Sequence, residues 1–438
     1  MSTRVVVIGG GLAGLSAALE AHAAGALVTL IEKEAKLGGN SAKASSGMNG
    51  VPTASQHMHG ISDSKLQFME DTITSGGSLA DRHLVARLVE DSASAIDWIE
   101  QQGVPLRVVS QCGGHSCPRT HRIAPDENGR ATPVGWGIMS ALQRKIQEAN
   151  INVLFSSPVR KLITVNGRVT GVRLGNDQVI QTDAVVLTTG GFAGKTVHGD
   201  NAVLHEFAPK VDRLATTNGP WATGDGIRLG QDIGASLRDM DKVQVHPTGF
   251  VDPKDPEATT KFLAPEALRA AGGILLNQNG LRFTNELDTR DLVTDAIFRS
   301  CEDYQADRHR MAVASLILSQ EAVNIYGPTT IQFYEHKGLF RRYSSVHDLA
   351  ESMSLDPEFL TSQFEQYDQH AQKGYDQFNK TVFPSSMSNS SAYWTGKITP
   401  SRHYTMGGLR FDDRGRVLKE IGTKSYEPIE GNIVSSSS

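Results

Sequence analysis

Between Val5 and Glu32 the chain runs Val5-Val6-Val7-Ile8, then Gly9-Gly10-Gly11-Leu12-Ala13-Gly14, then an apolar-periodic segment to Ala24. Gly25 and a second apolar run, Leu27 to Ile31, follow. Four β-branched residues in succession read as a buried parallel strand. Leu15, Ala18, Leu19 and His22 recur at helical spacing, and Gly25 suits a helix stop. A G-x-G-x-x-G set between strand and helix, with another strand after it, is the context in which these glycines acquire a purpose. Gly9 permits a tight turn, Gly11 lets backbone N–H groups approach a pyrophosphate, and Gly14 lets helix pack on strand. The helix N-terminus adds the positive end of its dipole. Glu32, closing the second strand, is placed to accept hydrogen bonds from a ribose. A dinucleotide carrying adenosine and pyrophosphate is the expected ligand.

At 438 residues the chain is too long for one core, and two or three domains are expected. A formal charge of −5 without a basic block argues against nucleic acid as a partner. No run approaches the roughly 18 consecutive apolar residues of a membrane span. The first strand begins at Arg4, which leaves no room for a signal or transit peptide. Cys112, Cys117 and Cys301 cannot build a disulfide framework, no C-x-x-C occurs, and no metal site is expected. A reducing compartment follows.

Leu37-Gly38-Gly39-Asn40-Ser41 and Ala44-Ser45-Ser46-Gly47-Met48-Asn49-Gly50 read as a backbone cradle close to the dinucleotide site. Residues 63–102 read as helices with Leu84, Leu88, Ile96 and Ile99 as core stripes. Gly113-Gly114-His115-Ser116, Arg119 and His121-Arg122 form a polar loop, for which composition leaves a solvated surface and a binding segment equally open. Ile138 to Ala149 is an amphipathic helix feeding a strand Val153-Leu154-Phe155, and Gly167 to Val172 belongs to a hairpin. Asp183 to Leu187, ending in Thr188-Thr189-Gly190-Gly191, suits a third parallel strand returning to the same ligand. With no second glycine fingerprint, one dinucleotide is expected. Trp221 to Gly226 opens another helix, and a domain boundary is placed near 241. Beyond it come His246-Pro247-Thr248, Glu266, Arg269, a strand Ile274 to Leu276, and Asn285 to Asp291. A stretch over 292–380 is expected to alternate helix and loop. His403 to Gly408 marks the return to the first domain, and the residues after Glu430 read as a low-complexity tail.

These segments, taken in order, resemble the flavoprotein family of soluble fumarate reductases and succinate dehydrogenase flavin subunits, above all the single-chain fumarate reductases. The likeness runs from Val5 to about Glu430. It rests on Gly9 to Gly14, Ser45 to Asn49, Gly113 to Ser116, Trp221 to Gly226, His246 to Thr248, Asn285 to Asp291, and His403 to Gly408. The resemblance implies an α/β fold: a Rossmann-like FAD-binding domain (1–240 and 404–438) with an inserted α+β capping domain (241–403). It implies FAD held by Gly9, Gly11, Leu12, Ala13, Gly14, Glu32, Lys33, Gly39, Asn40, Ser41, Ser45, Ser46, Gly47, Met48, Asn49, Gly50, Thr189, Gly190, Asn218 and Asp225. The Asn40 to Gly50 loop has no histidine, so the covalent link of the succinate dehydrogenase branch is not expected.

The implied reaction is reduction of fumarate, a small dicarboxylate, to succinate. By similarity His246, Thr248 and His403 bind substrate, Arg290 delivers the proton, and Glu266 and Arg269 refill it. Guanidinium is ordinarily protonated, so Arg290 can act only as a relay. A sister flavoenzyme on the same scaffold, such as an L-aspartate oxidase or a reductase of another unsaturated acid, is the alternative. The electron donor stays open among reduced flavin, NADH and a redox partner. A cytoplasmic monomer is expected, or a mitochondrial protein if a longer form carries an upstream extension. One departure from the family pattern stands out. There a glycine-rich segment continues past this point and carries a further arginine for a substrate carboxylate. Here Asn432-Ile433-Val434 and serines follow Gly431, and Arg410, Arg414 and Arg416 stand in a different context. Losing such a clamp is expected to cost about 2–5 kcal/mol of binding, which makes an inactive flavoprotein the third alternative.

Overall fold

The computed structural model describes residues 2–112, 114–127, 132–194, 201–304, 311–422, 425–431 and 433–435. Gly113, Asn432 and Ser436 to Ser438, which the sequence reading invoked, lie outside the described residues.

The first sheet has five parallel strands in the order Ile433–Ser435, Ala184–Leu187, Arg4–Ile8, Leu27–Ile31, Asn152–Leu154. The run of valines makes sense in this central position, because both faces are covered. Val5 and Val7 pack with Leu15, Ala18 and Leu142 of helices Leu12–Ala23 and Val134–Glu148. Val6 and Ile8 pack on the opposite side with Leu162, Val172 and Leu174 of the antiparallel sheet Val159–Val165, Arg168–Leu174, Val179–Gln181. The first helix ends in a Schellman arrangement: Gly25 N–H donates to the His22 carbonyl and Ala26 N–H to that of Ala21, at 2.9 and 3.0 Å. Gly25 at φ +84° meets the left-handed requirement of that cap.

The second sheet has a core order of Phe262–Leu263, Val243–Phe250, Tyr393–Thr405, Ala314–Ser319, Ile274–Leu276, all antiparallel. Ala215–Thr216 and Arg341–Tyr343 also pair with Tyr393–Thr405. This sheet too is buried on both faces. Leu316 and Leu318 face Phe250, Tyr334 and Phe340, while Ile317 faces Leu349, Phe364 and Tyr367.

Three expectations are corrected, and one alternative left open by the sequence is decided. The stretch 292–380 is not only helix and loop: Ala314–Ser319 is a fully buried strand in the second sheet. The residues after Glu430 are not a loose tail, since Ile433–Ser435 add a parallel edge strand to Ala184–Leu187. In helix Arg82–Gln101, Leu88 is 55% exposed, and Val85 and Val89 fill the core beside Ile96 and Ile99. The polar loop is not a solvated surface at Arg119 and His121, both of which are fully buried. Arg119 binds Asp63 through two nitrogens, each at 2.9 Å, and Asp71 at 2.6 Å. His121 Nδ1–H donates to the Arg119 carbonyl at 2.9 Å. Bidentate pairing of this kind holds a desolvated guanidinium in place. Among the described residues no helix is long and apolar enough to cross a membrane.

Candidate active site

A cavity of about 500 Å³ opens at the carboxyl ends of the parallel strands, where ligands of open α/β sheets bind. It is lined by Gly9, Gly11, Leu12, Ala13, Glu32, Lys33, Gly39, Asn40, Ser41, Thr189, Gly190 and Asp225. The helix Leu12–Ala23 starts at Gly11 without a side-chain cap. Ser41 Oγ takes the Leu12 N–H at 3.0 Å, and the next amides of that first turn lack intrahelical partners. A Cβ on Gly9 or Gly14 would overlap the carbonyl oxygen of Thr188 or Gly9, respectively. On Gly11 a Cβ would meet only Ser41 Oγ, at 3.3 Å, so that glycine faces open space. A bare helix start, glycines that admit close approach and a cavity of this size fit a pyrophosphate. Glu32 is almost fully buried and accepts the Gly10 and Glu34 N–H groups at 2.7 and 2.9 Å. Its oxygens keep further acceptor capacity for a ribose. Lys33 bridges to Asp225 and to Thr223 Oγ1, both at 2.6 Å.

Ser45 to Gly50, Gly14 and Asn218 are not among the lining residues. Met48 and Asn49 pair instead with His121 and Thr120, and Gly50 packs against Ser92 and Ile96. Asn218 connects the cavity to the second sheet. Its Oδ1 accepts from Asn40 Nδ2, and its Nδ2 donates to the His403 carbonyl, each at 2.6 Å.

His246 on Val243–Phe250 and His403 on Tyr393–Thr405 lie edge to face with ring centroids 5.1 Å apart. Antiparallel pairing of those strands brings them together across 157 residues of sequence (403 − 246). Thr248 N–H donates to His246 Nδ1 at 3.2 Å, which assigns the ring proton to Nε2. His403 Nδ1 shares a 2.6 Å hydrogen bond with Thr217 Oγ1. Arg290 is the first residue of helix Arg290–Ser300. Its Nε donates to Glu266 at 3.2 Å and one terminal nitrogen to Gln244 at 2.5 Å. Its guanidinium also lies 5.5 Å from the Tyr404 ring centroid. Glu266 and Arg269 share the short helix Glu266–Ala270. Arg269 is buried and donates through Nη1 to the Glu286 carbonyl, while its Nε and Nη2 have no hydrogen-bond partner among the described residues.

Burial, reinforced by the charge of Arg290, by the adjacent His403 and by Arg269, holds His246 well below the ordinary histidine value. Burial, then Arg290 and Lys43, pushes His403 down to about 3. Burial brings the Arg269 guanidinium down to about 10, against the pull of Glu266. Both imidazoles are therefore neutral around pH 7. Their folded values lie below an unfolded value near 6.5, so the unfolded chain binds more protons below that pH. The stability that they contribute is present above about pH 6.5 and is lost as pH falls toward 3. Urea unfolding of the free protein is expected to show a stability loss on the order of a few kcal/mol over that window, smaller in a His403→Phe variant.

Sequence reasoning had missed Gln244, Thr217, Tyr404 and Lys43. Each is a commonplace residue type whose place depends on strand pairing or loop closure, and only Tyr404, next to His403, carried a local signal.

A family model described as FAD binding domain matches residues 4–431. The fumarate reductase of Schizosaccharomyces pombe is 36% identical over 96% of this chain and 81% of its own length. The NADH:fumarate oxidoreductase of Klebsiella pneumoniae is 36% identical over 98% of this chain, which spans 43% of that longer protein. Among solved structures, the open conformation of a flavocytochrome c3 fumarate reductase superposes with a TM-score of 0.77 at 30% identity. That match covers 99% of this chain and 72% of the other.

Proposed function

The chain belongs to the soluble fumarate reductase family of FAD-binding flavoproteins, and we propose that it reduces fumarate to succinate. The observation that carries this reading is the convergence of Arg290, paired to Glu266, with two neutral histidines joined to the cofactor cavity through Asn218. The cavity suits FAD: Gly9 to Leu12 would hold its pyrophosphate and Glu32 its ribose. When bound and reduced, it supplies a hydride to one alkene carbon. The protein's own part is binding and proton delivery. His246 and His403 present uncharged rings to the substrate carboxylates, so Arg290 is the principal cation there. Arg290 uses Nε on Glu266 and one terminal nitrogen on Gln244, leaving the other terminal nitrogen to give a proton to the second alkene carbon. Glu266, partly exposed, then reprotonates the guanidinium, and Arg269 holds the reserve behind it.

Residues 241–403 are taken as the capping unit, since most of the second sheet falls within them. A dicarboxylate is the substrate, and electrons come from a redox partner. FAD is held without a covalent bond, because no histidine occurs in Asn40 to Gly50. Acid precipitation of the yellow protein is expected to leave all flavin in the supernatant. Flavin remaining on the pellet would refute non-covalent binding. Gly14→Ala is expected to yield colourless protein, because its Cβ has only the Gly9 carbonyl to occupy. The flavin-to-protein absorbance ratio measures this directly.

The function is tested with the holoenzyme and a reduced viologen dye against fumarate, other unsaturated acids, and L-aspartate under oxygen. Dye oxidation with fumarate and no oxygen uptake with aspartate is the expected outcome. Aspartate-dependent oxygen uptake without fumarate turnover would replace this reading with that of an aspartate oxidase.

A further inference from the structure

Three lysines, Lys33, Lys36 and Lys43, line the cofactor cavity, and the two with hydrogen-bonded ammonium groups differ in their partners. Lys33 is neutralised by Asp225. Lys43 has no acidic partner among the described residues: its ammonium donates to the Thr217 carbonyl at 2.6 Å. Its charge reaches the His403 ring and lowers that ring's basicity. Lys43 ends the short helix Ser41–Lys43. Ser41 at the start of that helix faces the glycine turn through Leu12, whereas Lys43 is turned toward Thr217 and the histidine pair. The lysine therefore lies at the end of the cavity nearest the substrate groups and away from the pyrophosphate turn.

The Lys43 side chain is exposed along the cavity wall, yet the surrounding protein already lowers its pKa. A bound dinucleotide would remove much of the remaining water. A cation buried without an anion is costly, and the groups Lys43 is seen to engage, the Thr217 carbonyl and the neutral His403 ring, are not anions. The compensating anion must then come from a ligand.

We propose that Lys43 supplies the positive charge that accompanies two-electron-reduced FAD, so that the protein binds the reduced, anionic ring more tightly than the oxidised, neutral one. The balance is simple: oxidised FAD would take two electrons and one proton and acquire one negative charge, which Lys43 would offset. Binding energy that grows with reduction raises the potential of the bound cofactor and sets how readily a donor can load it. This inference rests on the assignment of the cavity to FAD and on the proposed reaction for its purpose.

The test is the two-electron midpoint potential of the holoenzyme, by dye equilibration during slow enzymatic reduction, in wild type, Lys43→Met and Lys43→Arg. Lys43→Met is expected to lose about tenfold of the preference for reduced FAD, a drop of about 30 mV for a two-electron couple. Lys43→Arg is expected to stay near wild type. The pH at which the potential changes slope from about 59 to about 30 mV per unit should lie about one unit higher in Lys43→Met. In wild type this break can be located without any variant, and a slope of two protons per two electrons throughout the neutral range would overturn the proposal. So would an unchanged potential in Lys43→Met. An equal loss of affinity for both redox forms would assign the charge to the pyrophosphate, and a raised KM for fumarate at unchanged potential would assign it to the substrate. Either result overturns the inference. Wild-type holoenzyme that ignores fumarate would instead sink the proposed reaction while leaving the potentials interpretable.

Discussion

Arg290→Gln is expected to lower kcat for fumarate by about 10²–10⁴-fold, the usual worth of a positioned proton donor, with FAD content unchanged. Glutamine retains much of the length but neither the charge nor the fork that engages Glu266 at 3.2 Å and Gln244 at 2.5 Å together. Arg290→Lys restores the charge, yet a single ammonium cannot hold both partners and still aim a third N–H at the substrate. It is therefore expected to recover substrate binding more than turnover. The two variants separate the roles in steady-state kinetics. A raised KM with intact kcat in Arg290→Gln would show that this residue only grips a carboxylate, and the proton would then have to come from elsewhere.

The second large effect concerns stability. Glu286, four residues before Arg290, is fully buried and its carboxylate accepts four hydrogen bonds: from Lys380 at 3.0 Å, from two Arg282 nitrogens, each at 2.8 Å, and from the Leu275 N–H at 3.3 Å. Arg282 also reaches Asp376 at 2.9 Å. Burial alone would raise the Glu286 carboxyl, but Lys380 and Arg282 outweigh it and hold it at about 2. Lys380→Met would strand part of that charge, and removal of one partner of a buried pair costs about 3–5 kcal/mol. Chemical denaturation of the holoenzyme is expected to show a loss of that order, with much of it regained in Lys380→Met/Glu286→Leu. The wild-type contribution is complete above the unfolded glutamate value near 4.3 and fades as pH falls toward 2. The same segment carries the Glu286 carbonyl that receives Arg269, so the network also fixes the arginine behind Glu266. A Lys380→Met protein as stable as wild type would mean that Arg282 alone suffices.

The cofactor half of the fold was legible because its signals are local. Val5 to Ile8 must be buried on both faces, and Gly14 and Gly25 each meet a demand within a few residues of chain, the Gly9 carbonyl for one and a left-handed helix cap for the other. The second sheet was harder to read. Ala314 to Ser319 is a six-residue buried run, a length at which a core strand and a helical segment carry the same apolar pattern. Its identity depends on pairing with Tyr393–Thr405, some 80 residues later. Ile433–Ser435 is likewise defined by register against Val185 to Leu187, which no serine-rich composition announces. Leu88 misled because Leu84 and Leu88 form a plausible stripe, while the helix turns Val85 and Val89 inward. At the site, the sequence order of motifs pointed to His246, Arg290 and His403, but the groups that orient them, Gln244 and Thr217, reach them only through tertiary contact. The ion pairs of Glu286 with Lys380 join residues 94 apart, and no spacing rule anticipates such a pair.

The most direct test of fumarate reduction at this site is a single turnover. Purified holoenzyme is reduced anaerobically, freed of excess reductant and mixed with fumarate in a stopped-flow instrument. The visible flavin band is expected to return in one fast phase with one succinate formed per FAD, and to stay bleached in Arg290→Gln. Flavin that stays reduced in wild-type protein until oxygen is admitted would contradict the account.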